Sequence, residues 1–416
     1  MEQDAASRRQ ARAKKRAKAA ARKKMVWRIC LIVAGIALIA GIVLLLSRCS
    51  HKEPPPEPVV GDDTVIHFVA GGDLTVTDQL ISAGERGYEE IFRDIAPLIA
   101  NADLSTLNLE GNLAGAPYGV STGSAPQSLA YALQKTGLDM VQLANSFAYS
   151  RGPSGLHTTI DSAVAAGLEP VGVFKDTRQL EEKRGFSLFQ VKGIKIAVAA
   201  FTKGLNGMTL GKDNKDCVNL LYKDYDTNYQ KINTEGINAV LDNIDREEPD
   251  LVIVLVHWGS EFNDNISSTQ KSIIRLLQSR GVDAIIGTHP RYVQGLSHNT
   301  ETGQFLAYSL GSLLPSYPEK DTSKDSALNF NPVQGTEYSI LLDLEITKSA
   351  ATGETKITGY SYTPLFSVST EDTLKVTPLL DGMAAYENGH LDAVTKEIYN
   401  KMAYAKQRIE ARVKGG

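Results

Sequence analysis

Five residues with side chains that bind metal ions come directly after short apolar runs. Asp73 follows VIHFVAGG, Glu110 follows LSTLNL, Asn145 follows MVQLA, His257 follows LVIVLV, and His289 follows DAIIGT. In a layered α/β fold, ligands collect beyond the carboxyl ends of the strands, so we expect these side chains to lie close together. They are therefore the candidate ligands of a metal site.

The chemistry that these residue types support is hydrolysis assisted by divalent cations. Carboxylates bind hard divalent cations, and neutral imidazoles suit Mn, Fe or Zn. Two such ions a few ångströms apart would activate a water molecule and hold a phosphoryl group in place. Each signal alone is weak, because a Gly-Gly-Asp turn or a histidine at a strand end is more often structural. The prediction depends on the coincidence of the five positions.

Alternating strand and helix patterns carry these residues. The predicted strands cover 65–70, 104–109, 140–144, 169–173, 194–201, 251–256, 283–287, 305–310, 339–346 and 357–366, and the predicted helices lie around 91–100, 126–136, 157–166, 231–246, 267–280 and 390–412. The alternation favours a layered α/β domain, with antiparallel pairing of the last two strands. The final helix is charged on most faces and is predicted to be a solvent-exposed appendage.

The candidate residues lie in motifs that occur in a fixed order over about residues 64–315. These are GGD (71–73), NLEG (108–111), LAN (143–145), HWGSEF (257–262), GVDAIIGTHPRYVQG (281–295) and YSLGS (308–312). The pattern resembles the CapA family of poly-γ-glutamate capsule biosynthesis proteins. The resemblance implies a calcineurin-like double β-sheet sandwich flanked by helices, and membership in the machinery that makes or exports poly-γ-glutamate. It also implies Asp73, Glu110, His257 and His289 as metal ligands.

The sequence departs from the family pattern at four positions. In ANSFAYS (144–150), Ser146, Phe147 and Ser150 replace an Asn, a His and an Asp, and Arg291 replaces the last residue of a His-Pro-His motif. Phenylalanine cannot donate a proton to a leaving oxygen, and serine is a poor substitute for an amide ligand. The departures predict a degenerate site for which no catalytic residue is identified.

Arg291 leaves three interpretations open. Its guanidinium cannot coordinate a metal, so beside Asp73 and Glu110 it could occupy the space of one ion and neutralise both carboxylates. The site would then hold one divalent metal (Mn, Fe or Zn) or none. In the second interpretation Arg291 points into solvent. In the third it binds an anion, such as a carboxylate of the polymer, together with lysines that include Lys203.

An uncharged apolar run near the N terminus predicts a membrane anchor. The uncharged run covers residues 29–46, and extended back to Val26 it gives an anchor at 26–46 that is about long enough for the ~20 residues needed to span a bilayer. Eight basic residues between positions 14 and 28 crowd its N-terminal side, so the tail at 1–25 is predicted to be cytoplasmic. No small-x-small cleavage site follows, which favours a signal anchor over a cleaved signal peptide. A Pro-rich linker (47–63) then separates the membrane from an extracytoplasmic domain.

Composition divides the chain into a basic start and an acidic remainder. Residues 1–50 carry 12 Lys and Arg against two Asp and Glu, whereas residues 51–416 carry 32 against 46. The acidic remainder argues against nucleic acid as a partner. The CapA-like domain is predicted to cover 64–368, and a C-terminal helical extension covers 369–416. Of the three cysteines only Cys217 lies in the folded part, so no disulfide is expected there.

Three functions remain open at this stage. The leading hypothesis is a membrane-anchored CapA-like protein of capsule biosynthesis or export, with little or no catalysis, which works with other polymer synthesis and export proteins. The first alternative is an active extracytoplasmic metallophosphoesterase that uses the five candidate ligands. The second is a cell-surface binding protein built on the same scaffold.

Overall fold

The computed structural model describes residues 62–263, 265–315, 335–371, 373–390 and 394–413. The predicted cytoplasmic tail, membrane anchor (26–46) and most of the linker lie outside these residues. Among the helices that are described, none combines the length and apolar character that crossing a membrane requires.

The described residues form thirteen strands and ten α-helices. The strands are β1 (Thr64–Thr75), β2 (Leu104–Glu110), β3 (Met140–Gln142), β4 (Glu169–Val171), β5 (Ser187–Val191), β6 (Ile194–Thr202), β7 (Leu251–His257), β8 (Ala284–Thr288), β9 (Leu296–Asn299), β10 (Gln304–Ala307), β11 (Tyr338–Lys348), β12 (Thr355–Ser369) and β13 (Leu374–Pro378). The helices are α1 (Asp78–Gly84), α2 (Glu89–Phe92), α3 (Ala96–Ala100), α4 (Gln127–Lys135), α5 (Gly152–Ala165), α6 (Thr177–Lys183), α7 (Thr234–Glu247), α8 (Ser268–Ser279), α9 (Leu379–Glu387) and α10 (Lys396–Val413), with a 3₁₀ turn at Lys212–Asn214.

Two sheets organise the fold. The first has the order β13-β12-β11-β1-β2-β3-β4, and the second has the order β5-β6-β7-β8-β10-β9. The strands from β1 to β4 are parallel, and so are β6, β7, β8 and β10, whereas β11, β12 and β13 pair antiparallel. Parallel neighbours end at the same edge of a sheet, which is why residues far apart in sequence meet there.

The second sheet is apolar on both faces. Along β7, Leu251, Ile253 and Leu255 belong to the core shared with the first sheet, while the alternate residues, such as Val254, pack in a second cluster with α7 and α8. A strand covered on both sides reads as a continuous apolar run, as LVIVLV does. The predicted mixed α/β fold with two sheets and flanking helices is confirmed.

The C-terminal helix α10 is not a solvent-exposed appendage. Met402, Ala405, Ile409 and Val413 are buried and belong to the main core cluster. Their spacing of three or four residues places them on one face of the helix, which covers β11 and β12. The prediction was wrong because the other faces of the helix carry many charged residues, which made its single row of apolar residues hard to recognise in the sequence.

Candidate metal centre

The site lies where the carboxyl ends of β1, β2, β7 and β8 meet. Glu110 and His257 are the last residues of β2 and β7, and His289 follows the last residue of β8. Asp73 lies near the end of β1, where the register against β2 shifts after Ala70. All four side chains are buried. The structure therefore brings together four of the five predicted ligands.

The two glycines before Asp73 allow a close approach of the YSLGS segment. A Cβ atom added at Gly72 would lie 2.0 Å from the carbonyl oxygen of Gly311. The backbone N–H of Asp73 donates to this same oxygen at 2.9 Å. Glycine at position 72 is thus needed for the backbone contact that fixes the Asp73 carboxylate at the site.

Glu110, His257 and His289 form a cluster that could hold a metal ion. One ligand atom from each of the three lies within 4.8 Å of the others. The Nε2 atom of His257 is 2.8 Å from Oε2 of Glu110, and Nδ1 of His289 is 4.0 Å from Oε1. One carboxylate and two imidazoles are a donor set that suits Mn, Fe or Zn.

Thr202 fixes the orientation of the His257 ring. Its hydroxyl donates to the carbonyl oxygen of Gly204 at 3.0 Å, so at 3.0 Å from Nδ1 of His257 it can only accept. Nδ1 therefore carries a proton, and Nε2 is the ring nitrogen directed at Glu110, at 2.8 Å from its Oε2 atom. A hydrogen bond from the second ring nitrogen to a protein oxygen is typical of metal-binding histidines, because it fixes the orientation of the ring.

His289 also fits a ligand role. Its backbone is in the left-handed region (φ 91°), which directs its N–H to Asp73 Oδ2 at 2.9 Å. Its buried Nδ1 atom has no hydrogen-bond partner among the described residues. Burial, followed by the charges of His257, Arg291 and Lys203, lowers the pKa of His289 well below 6.5. The ring is thus neutral near pH 7 and keeps a lone pair for a metal.

Arg291 lies inside the site and does not point into solvent. Its residue exposure is 2%, and its backbone is also left-handed (φ 68°). The guanidinium donates to Glu110 at 3.0 Å, to Glu261 at 2.6 Å and to the Thr75 hydroxyl at 2.9 Å, and it lies 3.6 Å from Asp73. The predicted anion-binding role of Arg291 is not supported by this geometry, because three carboxylates surround the cation.

Asn108 links the two buried carboxylates. Its Nδ2 atom donates to Asp73 at 2.6 Å and to Glu110 at 2.8 Å. Burial raises the pKa of Asp73, and the Arg291 charge only partly opposes it. Burial also acts to raise the pKa of Glu110, but His257 and Arg291 outweigh it and lower that pKa to about 2. Glu110 is therefore ionised near pH 7.

Asn145, the fifth predicted ligand, forms hydrogen bonds with the neighbouring backbone. Its Nδ2 atom donates to the carbonyl oxygen of Leu109 at 2.5 Å, and its Oδ1 atom accepts from the N–H of Phe147 at 2.8 Å. An amide oxygen retains a second lone pair, so a ligand role for Asn145 stays a prediction. The Phe147 ring packs where a side chain at Gly123 would stand, and it offers no proton donor.

Three residues that complete the site were missed in the sequence. Asn108 has a detectable signal, because it lies two positions before Glu110 in a strand and so faces the same side. Thr202 and Glu261 gave no comparable signal. Their roles depend on pairing with His257 across β6 and β7, and on contact with Arg291.

A comparison with protein families gives the family. The model of the bacterial capsule synthesis protein family PGA_cap matches residues 67–317, which is more than half of the chain. The chain belongs to this family. All the site residues described above lie within the matched range, so the centre is part of the PGA_cap region.

Two curated relatives of this PGA_cap protein are similar in sequence. The chain is 26% identical over 254 residues to the capsule biosynthesis protein CapA of Bacillus anthracis, covering 58% of this chain and 57% of that protein. It is 23% identical over 270 residues to the PGA biosynthesis protein CapA of Bacillus subtilis strain 168, covering 63% and 67%. The chain thus spans less than two thirds of the length of the B. anthracis protein.

Solved structures with partial similarity include two of phosphate-ester enzymes. A novel phosphatase from Mycoplasma pneumoniae aligns with a TM-score of 0.45 and 14% identity, over 80% of this chain and all of that one. A 5′-nucleotidase from Candida albicans aligns with a TM-score of 0.40 and 13% identity, over 84% and 57%. Similarities at this level carry no statement about activity.

Proposed function

We propose that this PGA_cap protein is a membrane-anchored component of poly-γ-glutamate capsule biosynthesis or export, whose outer domain binds one divalent cation and has little or no catalytic activity. The relatives named for capsule and PGA biosynthesis support the pathway. The apolar run at 26–46 and the basic residues before it support the anchor and the extracytoplasmic position. Other polymer synthesis or export proteins at the membrane are its proposed partners.

The observation that carries the one-cation proposal is the position of Arg291. Its guanidinium contacts Asp73, Glu110 and Glu261, so it supplies positive charge where a second ion would otherwise neutralise the carboxylates. The guanidinium of an arginine is always charged and cannot coordinate a metal. A metal ion therefore cannot bind in the space that the guanidinium fills. The remaining cation position is the one between Glu110, His257 and His289.

The residues present would bind a ligand more readily than they would cleave it. A divalent cation held by Glu110, His257 and His289 would act as a Lewis acid toward an oxygen of the ligand. Proton transfer to a leaving group needs a titratable side chain within hydrogen-bonding reach. Phe147 has replaced the family's histidine and cannot supply that proton. Low activity is the expected consequence.

An active metallophosphoesterase is the second candidate, and the buried Glu110–His257–His289 cluster favours it. Hydrolysis of a generic phosphodiester by the purified full-length protein with added Mn²⁺, compared with His257→Ala, separates the two. We expect wild type and variant to show the same background rate. A wild-type rate that disappears in His257→Ala would instead establish the enzyme.

The capsule role is tested in the cell. Deletion of the gene is expected to reduce the cell-associated γ-linked glutamate polymer, and plasmid-borne wild type is expected to restore it. His257→Ala, expressed at the same level, is tested in the same strain. Failure to restore the polymer would show that the metal site is needed, and restoration would show that the fold alone is sufficient. Unchanged polymer in the deletion strain would overturn the proposal.

A further inference from the structure

Lys203 lies at the same sheet edge as the metal centre but outside the ligand cluster. It follows the last residue of β6, and its backbone N–H donates to the carbonyl oxygen of His257 at 2.8 Å. The side chain is partly buried. Its Nζ atom donates to the carbonyl oxygen of Gly259 at 2.6 Å and lies 4.6 Å from the centre of the Tyr229 ring.

The local structure holds this lysine in a defined position. Tyr229 adopts a left-handed backbone (φ 56°), which persists in a non-glycine residue only where the surroundings fix it. Here Asp224 fixes the turn by accepting the N–H groups of Gln230 and Lys231, both at 2.9 Å. A Cβ atom at Gly204 would lie 2.7 Å from the Tyr229 ring, so glycine makes room for it. The ring and the ammonium group are therefore placed together.

No ion pair joins Lys203 to a carboxylate among the described residues, although the charges of Glu261 and Glu110 act on it. Its two side-chain partners are a carbonyl oxygen and an aromatic ring, neither of which carries a net negative charge. Of the nearby carboxylates, Glu261 pairs with Arg291, and Glu110 pairs with both His257 and Arg291. Partial burial of a cation that contacts no counter-ion directly is costly. An ammonium group has three donors, so Lys203 can still bind an anion.

We propose that Lys203, backed by the Tyr229 ring, is the anion subsite of the centre and binds a carboxylate or phosphate group of the ligand. The subsite adjoins the metal cluster, because Lys203 follows the β6 residue that pairs with His257. An acidic polymer or a phosphate compound could thus place one anionic group on Lys203 and another oxygen at the cluster. This inference deepens the proposed function and rests on it for the polymer, and it gives Lys203 the role predicted for Arg291.

The test measures anion binding and metal binding separately on the same proteins. Full-length wild type, Lys203→Met and Lys203→Arg are titrated by calorimetry with a short γ-linked glutamate oligomer and, in a second series, with inorganic phosphate. Lys215→Met is the matched control, because Lys215 is an exposed lysine of the loop that follows Lys203. Each protein is also titrated with Zn²⁺ and melted to verify folding.

We expect Lys203→Met to weaken oligomer binding about tenfold or more, as loss of a charged hydrogen bond does. Lys203→Arg should retain part of the affinity, and Lys215→Met and all Zn²⁺ affinities should be unchanged. Phosphate binding that depends on Lys203, without oligomer binding, would support the subsite and assign it to phosphate ligands. Anion binding that Lys203→Met leaves unchanged, or no binding of either anion to wild type, would overturn the inference. If wild type binds an anion through Lys203 but binds no Zn²⁺, the proposed metal site would be contradicted and the anion subsite would stand.

Discussion

Arg291 takes part in the charge balance of a buried group of carboxylates. Asp73 and Glu110 are fully buried, and Glu261 lies at the exposed rim. Buried ionised groups are tolerated only when they are paired and hydrogen-bonded, and removal of one partner leaves the other uncompensated. Arg291 thus stabilises the folded protein by compensating these carboxylates, which gives a test that does not depend on activity.

Replacement of Arg291 by Met should destabilise the protein by about 3–5 kcal/mol, because the buried carboxylates lose their cation. The free energy of unfolding is measured with EDTA present and then with excess Mn²⁺. Mn²⁺ is expected to restore more stability to Arg291→Met than it adds to wild type, since it can enter the vacated space. Arg275→Met, which alters an exposed arginine of α8, is the control. Equal metal effects in all three proteins would contradict the substitution of a metal by Arg291.

The Glu110 carboxylate predicts a specific loss of stability in acid. Its folded pKa of about 2 lies below the usual 4.5, so the ionised form stabilises the folded state above about pH 4.5. That contribution decreases as the pH falls from 4.5 toward 2. Metal-free wild type should therefore lose stability more steeply than Glu110→Gln between pH 5 and 3, as measured by urea unfolding. Parallel pH profiles would show that Glu110 is not held ionised.

At the residue scale, the sequence indicated which side chains would meet but not which partners each would contact. Asp73, Glu110, His257 and His289 could be predicted because parallel strands of a layered fold end at one edge, so each position after an apolar run was a candidate. Asn145 satisfied the same rule, yet its amide holds the backbone of Leu109 and Phe147. The rule gives a side chain's location along the strand, whereas its partners depend on contacts between strands distant in sequence.

At the scale of elements, buried strands were easier to predict than edge strands. The ten predicted strands all correspond to observed ones, while β5, β9 and β13 were missed. All three lie at an edge of their sheet, and β5 and β9 alternate buried with exposed residues over only five and four positions. So short an alternating pattern does not stand out from a loop in the sequence.

The packed helix α10 gives a prediction at this scale. Ile409 is fully buried in the main core, so Ile409→Ala should cost about 2–5 kcal/mol of unfolding free energy through lost burial and a residual cavity. Gln407→Ala, on the exposed face of the same helix, should change stability by about 0.5 kcal/mol or less. Chemical denaturation measures both. Equal and small changes in unfolding free energy for both variants would show that α10 does not contribute to the core.

At the scale of the whole molecule, the two sheets bring the candidate metal centre together within the PGA_cap region of the chain. The fold class and the family could be predicted, because strand–helix alternation and ordered motifs are local properties of the sequence. The environment of Arg291 could not be determined, because three interpretations fitted the sequence and only the contacts between distant chain segments decide between them. The proposed anchor at 26–46 remains a prediction from charge and apolar length.

The metal content of the purified full-length protein tests the central claim most directly. Wild type and His257→Ala are loaded with excess Mn²⁺ or Zn²⁺, freed of loosely bound ions by gel filtration, and analysed by plasma mass spectrometry. One tightly bound equivalent per chain, lost in His257→Ala, is the predicted result, since Arg291 occupies the second position. Two tightly bound equivalents in wild type, or a content that His257→Ala leaves unchanged, would contradict it.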